Sequence, residues 1–338
     1  MIRLQRRVLG SPADALTQLQ TAIGVEFGVL PPYLYALYSI RPGTNQPAVQ
    51  RIHAVVLQEM VHMCLACNIL NALGGDPQLT PQAYPGPLPG DIGPHGASLT
   101  LHLLPFSKRA MQQAMDIEEP EEVPNFPIVH ADRRKTAAPV AMTIGEFYEA
   151  LDAYLATLPD QAWTAGRNQI DDKKLFDGQV FAVNGYADAH RAITEIVSEG
   201  EGSKNNPLDV LNELSHFYRF QEIHRDLVLS KSGAHPGFQW GPSTVGVDWN
   251  AVYPAISDPG LHDFTAEPQT AQDAQADCNS AYVDLVKALQ AAMTGSASTA
   301  LDEAVQAMFK LKAAALHAFT VPLADARTVS GPAFLYKP

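Results

Sequence analysis

Residues 57–70 read LQEMVHMCLACNIL, an apolar and evenly periodic stretch without proline or glycine. Such a stretch is typical of a helix buried in a protein core. Glu59 and His62, which stand three residues apart, interrupt this apolar composition. A buried carboxylate without a partner costs several kcal/mol, so a fold keeps one only where another group compensates it. We therefore expect the rest of the chain to supply partners for both side chains.

The composition restricts the classes of ligand that the protein is expected to bind. The chain has 338 residues, with 23 Lys and Arg against 36 Asp and Glu, which gives a net charge of −13. This charge disfavours nucleic acid and anionic membranes as partners and favours a small-molecule substrate, a metal or another protein. The chain contains no run of about 20 uninterrupted apolar residues, so the sequence predicts no membrane-spanning helix. With no signal-peptide pattern and only three cysteines, we expect a cytoplasmic protein.

Apolar periodicity predicts a mainly α-helical protein. The predicted helices span residues 12–39, 48–73, 144–158, 180–201, 208–230, 271–293 and 298–316, and a further short helix is predicted at 107–122. Pro31 and Pro32 should kink or interrupt the first of them, because proline cannot donate a helical hydrogen bond. Residues 76–178 form a long connection between the second and third major helices. We predict that residues 1–230 form a helical bundle and that residues 231–338 form a loop-rich segment and a helical pair packed on it.

Four of these helices carry ionisable residues on faces where apolar side chains are expected. The motif Glu-x-x-His occurs twice, and at this spacing both side chains project from one face of a helix. Four-helix bundles use one Glu from each of two helices and Glu-x-x-His from each of the other two to hold two metal ions. The predicted metal ligands are Glu26 in the first helix, Glu59 and His62 in the second, Glu201 in the third, and Glu213 and His216 in the fourth.

The ligand types and the loop lengths extend this prediction. Carboxylates with imidazoles suit one or two iron ions, and manganese or zinc are alternatives. A short loop, a long crossover and another short loop join the four helices, which is the connectivity of a ferritin-like four-helix bundle with additional C-terminal helices. Glu195 and His190 are alternatives to Glu201. Glu195 falls on the polar face of its helix, whereas His190 lies on the apolar line and is more typical of a core histidine.

Three further features receive structural interpretations. Cys64 and Cys67 form a C-x-x-C inside a continuous helix, and we interpret them as small buried residues rather than as a redox motif. The acidic run DIEEPEEVP at residues 116–124 is interpreted as a solvated loop. Arg219, one turn after His216, is expected either to pair with a ligand carboxylate or to form a surface salt bridge.

Several segments resemble the ferritin-like family named for iminophenyl-pyruvate dimer synthase. They are EFGVLPPYLYALYSI at 26–40, VVLQEMVHMCLACNILNALGG at 55–75, AITEIVSEGEG at 192–202, ELSHFYRFQEI at 213–223 and the late AVQAMFKLKAAALHAF. That family includes the ferritin-like part of the violacein-pathway protein, which couples two oxidised tryptophan-derived imines. The resemblance covers residues 12 to 336 and implies a ferritin-like core with a metal centre. The dimer synthases are much larger chains, so their substrate does not transfer.

Three functions are compatible with these observations. The leading hypothesis is a non-haem iron oxidase or oxygenase, with one or two ions, that acts on a small organic compound of secondary metabolism. The resemblance suggests an imine derived from tryptophan or phenylpyruvate. The alternative is a non-catalytic, metal-stabilised scaffold or accessory partner of a biosynthetic enzyme. Iron storage is disfavoured by the long irregular connection. The partners compatible with the sequence are a small-molecule substrate, a partner enzyme and a second copy of the chain in a small homo-oligomer.

Overall fold

The structure of the chain is a computed structural model. It describes residues 2–5, 7–93, 96–120, 141–171, 176–201, 206–209, 211–233, 237–296 and 299–338, with only the backbone at positions 141 and 201. The α-helices of this part are α1 Pro12–Ser39, α2 Gln46–Ala72, α3 Lys108–Ile117, α4 Ile144–Leu155, α5 Tyr186–Glu201, α6 His216–Arg225, α7 Gln269–Met293 and α8 Ala300–Ala318. Two short antiparallel pairs join β1 Leu4–Gln5 to β2 Ala141–Met142 and β3 Leu229–Lys231 to β4 Phe238–Trp240.

Four helices, α1, α2, α5 and α6, form the bundle. Helix α1 packs along α2, and α2 also contacts α5 and α6. The chain between α2 and α5 is the long crossover, and it carries two further helices: α3 packs on α6, and α4 packs on α5 and α1. The prediction of a mainly helical bundle with one long crossover and extra C-terminal helices is confirmed. The crossover also brings the end of α3 close to the bundle interior, which the sequence pattern does not show.

Helix α1 continues through Pro31 and Pro32, so the predicted interruption is wrong. Proline at position 32 removes the N–H that would bond to the carbonyl of Gly28, four residues earlier. The hydroxyl of Tyr84 donates to that carbonyl instead, at 2.5 Å. A side chain from the crossover thus replaces one missing helical hydrogen bond. The unbroken helix holds Glu26 and Tyr33 in one helical frame.

Helix α2 is long and apolar enough to cross a membrane by length and composition alone. However, 78% of its most apolar window is buried inside the protein. Its neighbours α1, α5, α6 and α7 cover it from several sides. Such burial is typical of the central helix of a bundle, and it explains why α2 is apolar around most of its circumference.

The fourth bundle helix is much shorter than predicted. Helix α6 begins only at His216, after Ser215 with its extended backbone, and it ends at Arg225. The preceding residues form a turn in which the Asp209 carboxylate accepts hydrogen bonds from the backbone N–H groups of Leu211 and Glu213. Asn212 adopts a positive φ of 61°. Asp and Asn favour such turns, and they override the helical periodicity here.

The C-terminal helices α7 and α8 pack against each other and cover the bundle. Helix α7 contacts α2, and α8 contacts α1. Tyr282, Leu289 and Phe334 join the main hydrophobic cluster, which also contains Ile23 and Ile52 of the bundle. The C-terminal segment and the bundle therefore share one continuous hydrophobic core. The division of the chain into domains at residue 230 stays a prediction.

Candidate metal centre

Two groups of three buried side chains lie at the centre of the bundle and share Glu59. One group consists of Glu26, Glu59 and His62, and the other of Glu59, Glu118 and His216. In each group the potential ligand atoms all lie within 4.8 Å of one another. Two ligand atoms bound at about 2.1 Å to one ion are separated by roughly 3 to 4 Å, so each group has the dimensions of a metal site.

Helices α1 and α2 place the first group. Glu26 continues the buried line of Leu19 and Ile23 along α1, and Glu59 and His62 lie on one face of α2 at i, i+3. The Nδ1 atom of His62 lies 3.7 Å from a Glu26 oxygen and 3.8 Å from a Glu59 oxygen. These separations are too long for hydrogen bonds. The structure thus brings together the three residues that the sequence predicts in α1 and α2.

Glu118 supplies the carboxylate of the second group, where the sequence predicts Glu213. It follows the last residue of α3 and is only 7% exposed, so its interpretation as part of a solvated loop is wrong. Its Oε2 atom lies 3.7 Å from Nδ1 of His216. The signal for it in the sequence is the buried series Met111, Ala114 and Glu118, which has helical spacing. The acidic residues that follow Glu118 in the sequence favour a solvated loop instead.

Glu213 lies outside the cluster, which corrects the predicted ligand set. Its side chain is 62% exposed and accepts a hydrogen bond from Arg219 at 2.9 Å. The Glu-x-x-His geometry requires a helix across both residues, and α6 begins only at His216. Arg219 also donates to the backbone carbonyl of Leu214. It therefore stabilises the turn before α6 and does not contact a carboxylate of the centre.

Among the side chains of helix α5 that the structure describes, the centre is reached by Glu199, a residue that the sequence pattern does not select. Glu199 is 4% exposed, and its Oε2 lies 2.8 Å from Nε2 of His62. The Glu201 side chain lies outside the described part. His190 pairs with Asp152 on the surface, and Glu195 pairs with Arg191. The predicted helix at 180–201 begins too early, because α5 starts only at Tyr186. The buried face of α5 carries Ala189, Ala192, Ile196 and Glu199, and His190 does not belong to it.

The two histidines are oriented in the same way. Each presents Nδ1 to two carboxylates, while Nε2 has a separate partner: Glu199 for His62, and the Gln58 side-chain oxygen at 3.3 Å for His216. The rings stack with centroids 5.4 Å apart. Partners of this kind fix the tautomer and the orientation of metal-binding imidazoles.

Two tyrosines hold the carboxylates. Tyr148 of α4 donates to Glu26 at 2.6 Å, and Tyr33 of α1 donates to Glu118 at 2.5 Å. Burial, together with the neighbouring carboxylates, raises the pKa of both phenols well above the ordinary value. Both hydroxyls therefore stay protonated at neutral pH and act as donors. The crossover helix α4 thus contributes to the centre through a hydrogen bond, although none of its residues belongs to either group.

The carboxylates dominate the electrostatics of the centre. Burial disfavours the charged imidazole of His62, but Glu199, Glu26 and Glu59 outweigh it and raise its pKa well above the ordinary value. For His216, Glu59 and Glu118 outweigh burial and raise the pKa to about 9. Burial and the charge of Glu59 raise the pKa of Glu118. In the metal-free protein, protons therefore compensate part of the carboxylate charge, and a bound cation would displace them.

The donor set fits divalent metal ions. Nδ1 of His216 is buried and lies 2.8 Å from Oε1 of Glu59, yet it has no aligned hydrogen-bond partner among the described residues. A shared cation accounts for a nitrogen and a carboxylate oxygen at this separation without a hydrogen bond between them. Four buried carboxylates, those of Glu26, Glu59, Glu118 and Glu199, also match in number the four positive charges of two divalent ions.

Comparison with known proteins agrees with the fold described above. A family model described as ferritin-like matches residues 19–225. The chain belongs to the ferritin-like family. A ferritin-like protein from Caulobacter vibrioides, known from a crystal structure, is 22% identical and has a TM-score of 0.67, with 98% of this chain and 100% of that chain covered. A sequence comparison with curated proteins gives no significant match. The ferritin-like fold class predicted from the sequence is confirmed.

The bond between Glu199 and His62 gives a first testable prediction. Glu199→Gln should weaken metal binding by about ten- to a hundredfold, because the imidazole loses the carboxylate that orients it. The number of ions bound at saturation should not change, since Glu199 belongs to neither three-residue group. Competition with a chromophoric chelator measures both quantities. Glu195→Gln, on the same helix, is the control. Equal affinities for the two variants would contradict this role of Glu199.

The cysteines of α2 are expected to be inert. Cys64 and Cys67 are buried and free, and burial raises the pKa of the Cys64 thiol to about 12. The thiolate is the reactive form, so the folded protein should react very slowly with a disulfide reagent at pH 8, whereas all three cysteines should react after unfolding. Cys64→Ala should retain its full metal content. Rapid labelling of folded protein would show that α2 is more accessible than the structure indicates.

Proposed function

We propose that this ferritin-like protein is a non-haem di-iron oxidase or oxygenase that acts on a small organic compound. The observation that carries the proposal is the pair of buried groups that share Glu59. Oxygen ligands with one imidazole on each side suit iron, and manganese or zinc fit the same donors less specifically. A pair of iron ions held there would supply the electrons for O2 activation.

The residues around the centre have complementary roles in this proposal. Glu26, Glu59, Glu118, His62 and His216 would hold the ions. The hydrogen bonds from Tyr33 and Tyr148 restrict the rotation of two carboxylates, so these ligands remain in place when charge changes at the centre. Glu199 keeps a proton on Nε2 of His62, which leaves Nδ1 free to bind a metal.

The surroundings of the centre exclude bulk water. Phe220 is fully buried and its ring lies 4.9 Å from that of Tyr33. Glu26, Glu59, His62 and His216 are each at most 5% exposed. Electrostatic interactions are stronger in such an environment than in water, and reactive species are protected from hydrolysis. This burial supports a catalytic centre over a surface site for metal transport.

For the substrate class we propose an aromatic imine derived from tryptophan or phenylpyruvate, on the basis of the family resemblance given above. We further propose a cytoplasmic protein that functions in secondary metabolism. A net charge of −13 is compatible with small-molecule substrates. No part of the proposal requires the larger domains of the dimer synthases.

The decisive experiment is anaerobic reconstitution with two equivalents of Fe(II), followed by mixing with O2. We expect O2 uptake that depends on iron. When an amino-acid oxidase generates the imine of phenylpyruvate or its indole analogue in the same solution, we expect uptake in excess of the O2 that this oxidase consumes in the presence of apo protein. Mass spectrometry should then detect an oxidised or coupled product. O2 uptake that is identical without iron would contradict the proposed oxidase activity. The absence of any new product from either imine would contradict the proposed substrate class. Apo protein with the same oxidase is the control.

A further inference from the structure

An apolar cavity of about 240 Å³ lies between the bundle and the C-terminal helices. It is lined by residues from four helices, among them Phe27 of α1, Met63 of α2, Leu285 of α7 and Met308 of α8. Phe27 and Met63 each follow a residue of the metal centre directly, and successive residues of a helix point about 100° apart. The cavity therefore lies on another side of α1 and α2 from the centre, and it constitutes a separate site.

One buried polar group in the wall of this cavity lacks a partner. Tyr282 lines the cavity and is only 3% exposed. Its hydroxyl forms no hydrogen bond with any residue that the structure describes. Buried hydroxyls are nearly always hydrogen-bonded in folded proteins. The hydroxyl of this lining residue is therefore available as a donor to an acceptor atom of a molecule bound in the cavity.

The accessible side of the cavity combines apolar surface with a positive charge. Leu57 and Phe309, which are 41% and 68% exposed, both line it. Lys312 lines it too, and its ammonium group has no acidic partner within the described part of the chain. In a chain with a net charge of −13, an unpaired lysine beside exposed apolar side chains is a favourable position for an amphipathic anion.

His53 also lines the cavity and adds a polar group without adding charge. Burial, together with the nearby charge of Lys312, lowers the pKa of its imidazole. At neutral pH, Lys312 therefore carries the positive charge of this region. The polar groups of this cavity are mainly hydrogen-bond donors: the Lys312 ammonium, the Tyr282 phenol and the His53 imidazole N–H. Such a set favours a ligand with acceptor oxygens.

We propose that this cavity binds a small apolar carboxylic acid, with its hydrocarbon part among the apolar side chains and its carboxylate bound by Lys312 and Tyr282. A cavity of roughly 150 Å³ holds one benzene molecule, so the larger volume here accommodates an acid with one or two rings or a chain of about eight carbons. Apolar contact supplies most of the affinity. The cationic mouth supplies the preference for an acid over an alcohol or an amine.

Calorimetric titration of the full-length protein with octanoate, 1-octanol and octylamine tests this inference. We expect saturable binding of one octanoate per chain, weaker binding of octanol and the weakest binding of octylamine. Lys312→Gln should weaken octanoate binding by about threefold while leaving octanol unchanged, as expected for an exposed charge pair. Lys310→Gln, an exposed lysine two residues earlier on α8, should behave like the wild type. Tyr282→Phe should also weaken octanoate binding.

A second variant tests the location of the ligand. Met308→Trp fills the cavity from a half-buried position, and it should abolish binding of all three compounds while the melting temperature changes little. The inference is overturned if octanoate binds no more tightly than octylamine, if Lys312→Gln and Tyr282→Phe both bind it like the wild type, or if Met308→Trp leaves binding intact. A different pair of results would also overturn it: no octanoate binding, together with a dimer in sedimentation that the Phe309→Ser substitution dissociates. In that case a second copy of the chain covers this face. Metal-loaded and metal-free protein should bind octanoate equally, which separates this site from the proposed oxidase.

Discussion

Glu59→Ala is expected to reduce the iron bound after anaerobic reconstitution from about two ions per chain to almost none. Glu59 is the only residue common to both three-residue groups. One of its oxygens lies 2.8 Å from Nδ1 of His216, and the other lies 3.8 Å from Nδ1 of His62. Removal of this side chain leaves each group with a single carboxylate and one imidazole, too few donors to retain a divalent ion against dilution.

Elemental analysis after gel filtration measures this loss. Glu149→Ala is the matched control, because Glu149 is an exposed glutamate of α4 and should leave the stoichiometry unchanged. Circular dichroism of the metal-free proteins separates loss of ligands from loss of the fold. We expect the same helical content in both variants, since removal of one of four neighbouring buried carboxylates also relieves repulsion. A Glu59→Ala protein that retains one or more ions per chain would show that Glu59 is not shared.

Glu118→Gln is expected to remove one of the two ions and to leave the other. Glu118 belongs only to the group with His216, so the group of Glu26, Glu59 and His62 remains complete. Glutamine has nearly the same shape, and its amide oxygen still accepts the hydrogen bond that Tyr33 donates to Glu118. The effect should therefore come from the lost charge and ligand rather than from a disturbed fold. The expected stoichiometry is about one ion per chain.

The matched control is Glu213→Gln, because Glu213 is the residue that the sequence pattern selects for the same position. It should bind two ions, since its side chain is exposed and pairs with Arg219. Titration with Fe(II) under argon, with a competing chelator, distinguishes one site from two. The opposite result, with one ion in Glu213→Gln and two in Glu118→Gln, would support the Glu-x-x-His motif of the sequence and contradict the arrangement in the structure.

The two ligand assignments differ because sequence spacing is informative only inside a helix. Glu59 and His62 lie in the middle of α2, which extends well beyond them in both directions. Their relative position therefore follows from the sequence, as does the place of Glu26 on the buried line of α1. Glu213 and His216 have the same spacing, but Glu213 lies in the turn around Asp209 and α6 begins only at His216, so no helix contains both residues. The Glu-x-x-His motif therefore places both of its side chains on one helical face in α2, but not at Glu213 and His216.

The sequence by itself determines the helical bundle, its single long crossover and the face of α1 and α2 that carries Glu26, Glu59 and His62. These features depend on local periodicity, which residues close in the chain establish among themselves. Only the tertiary structure decides that Glu118 and Glu199 approach the two histidines. Glu118 reaches His216 because α3 packs on α6, and these residues are 98 positions apart in the chain. Contacts at such separations depend on how whole helices pack, and the pattern of a single helix carries no information about them.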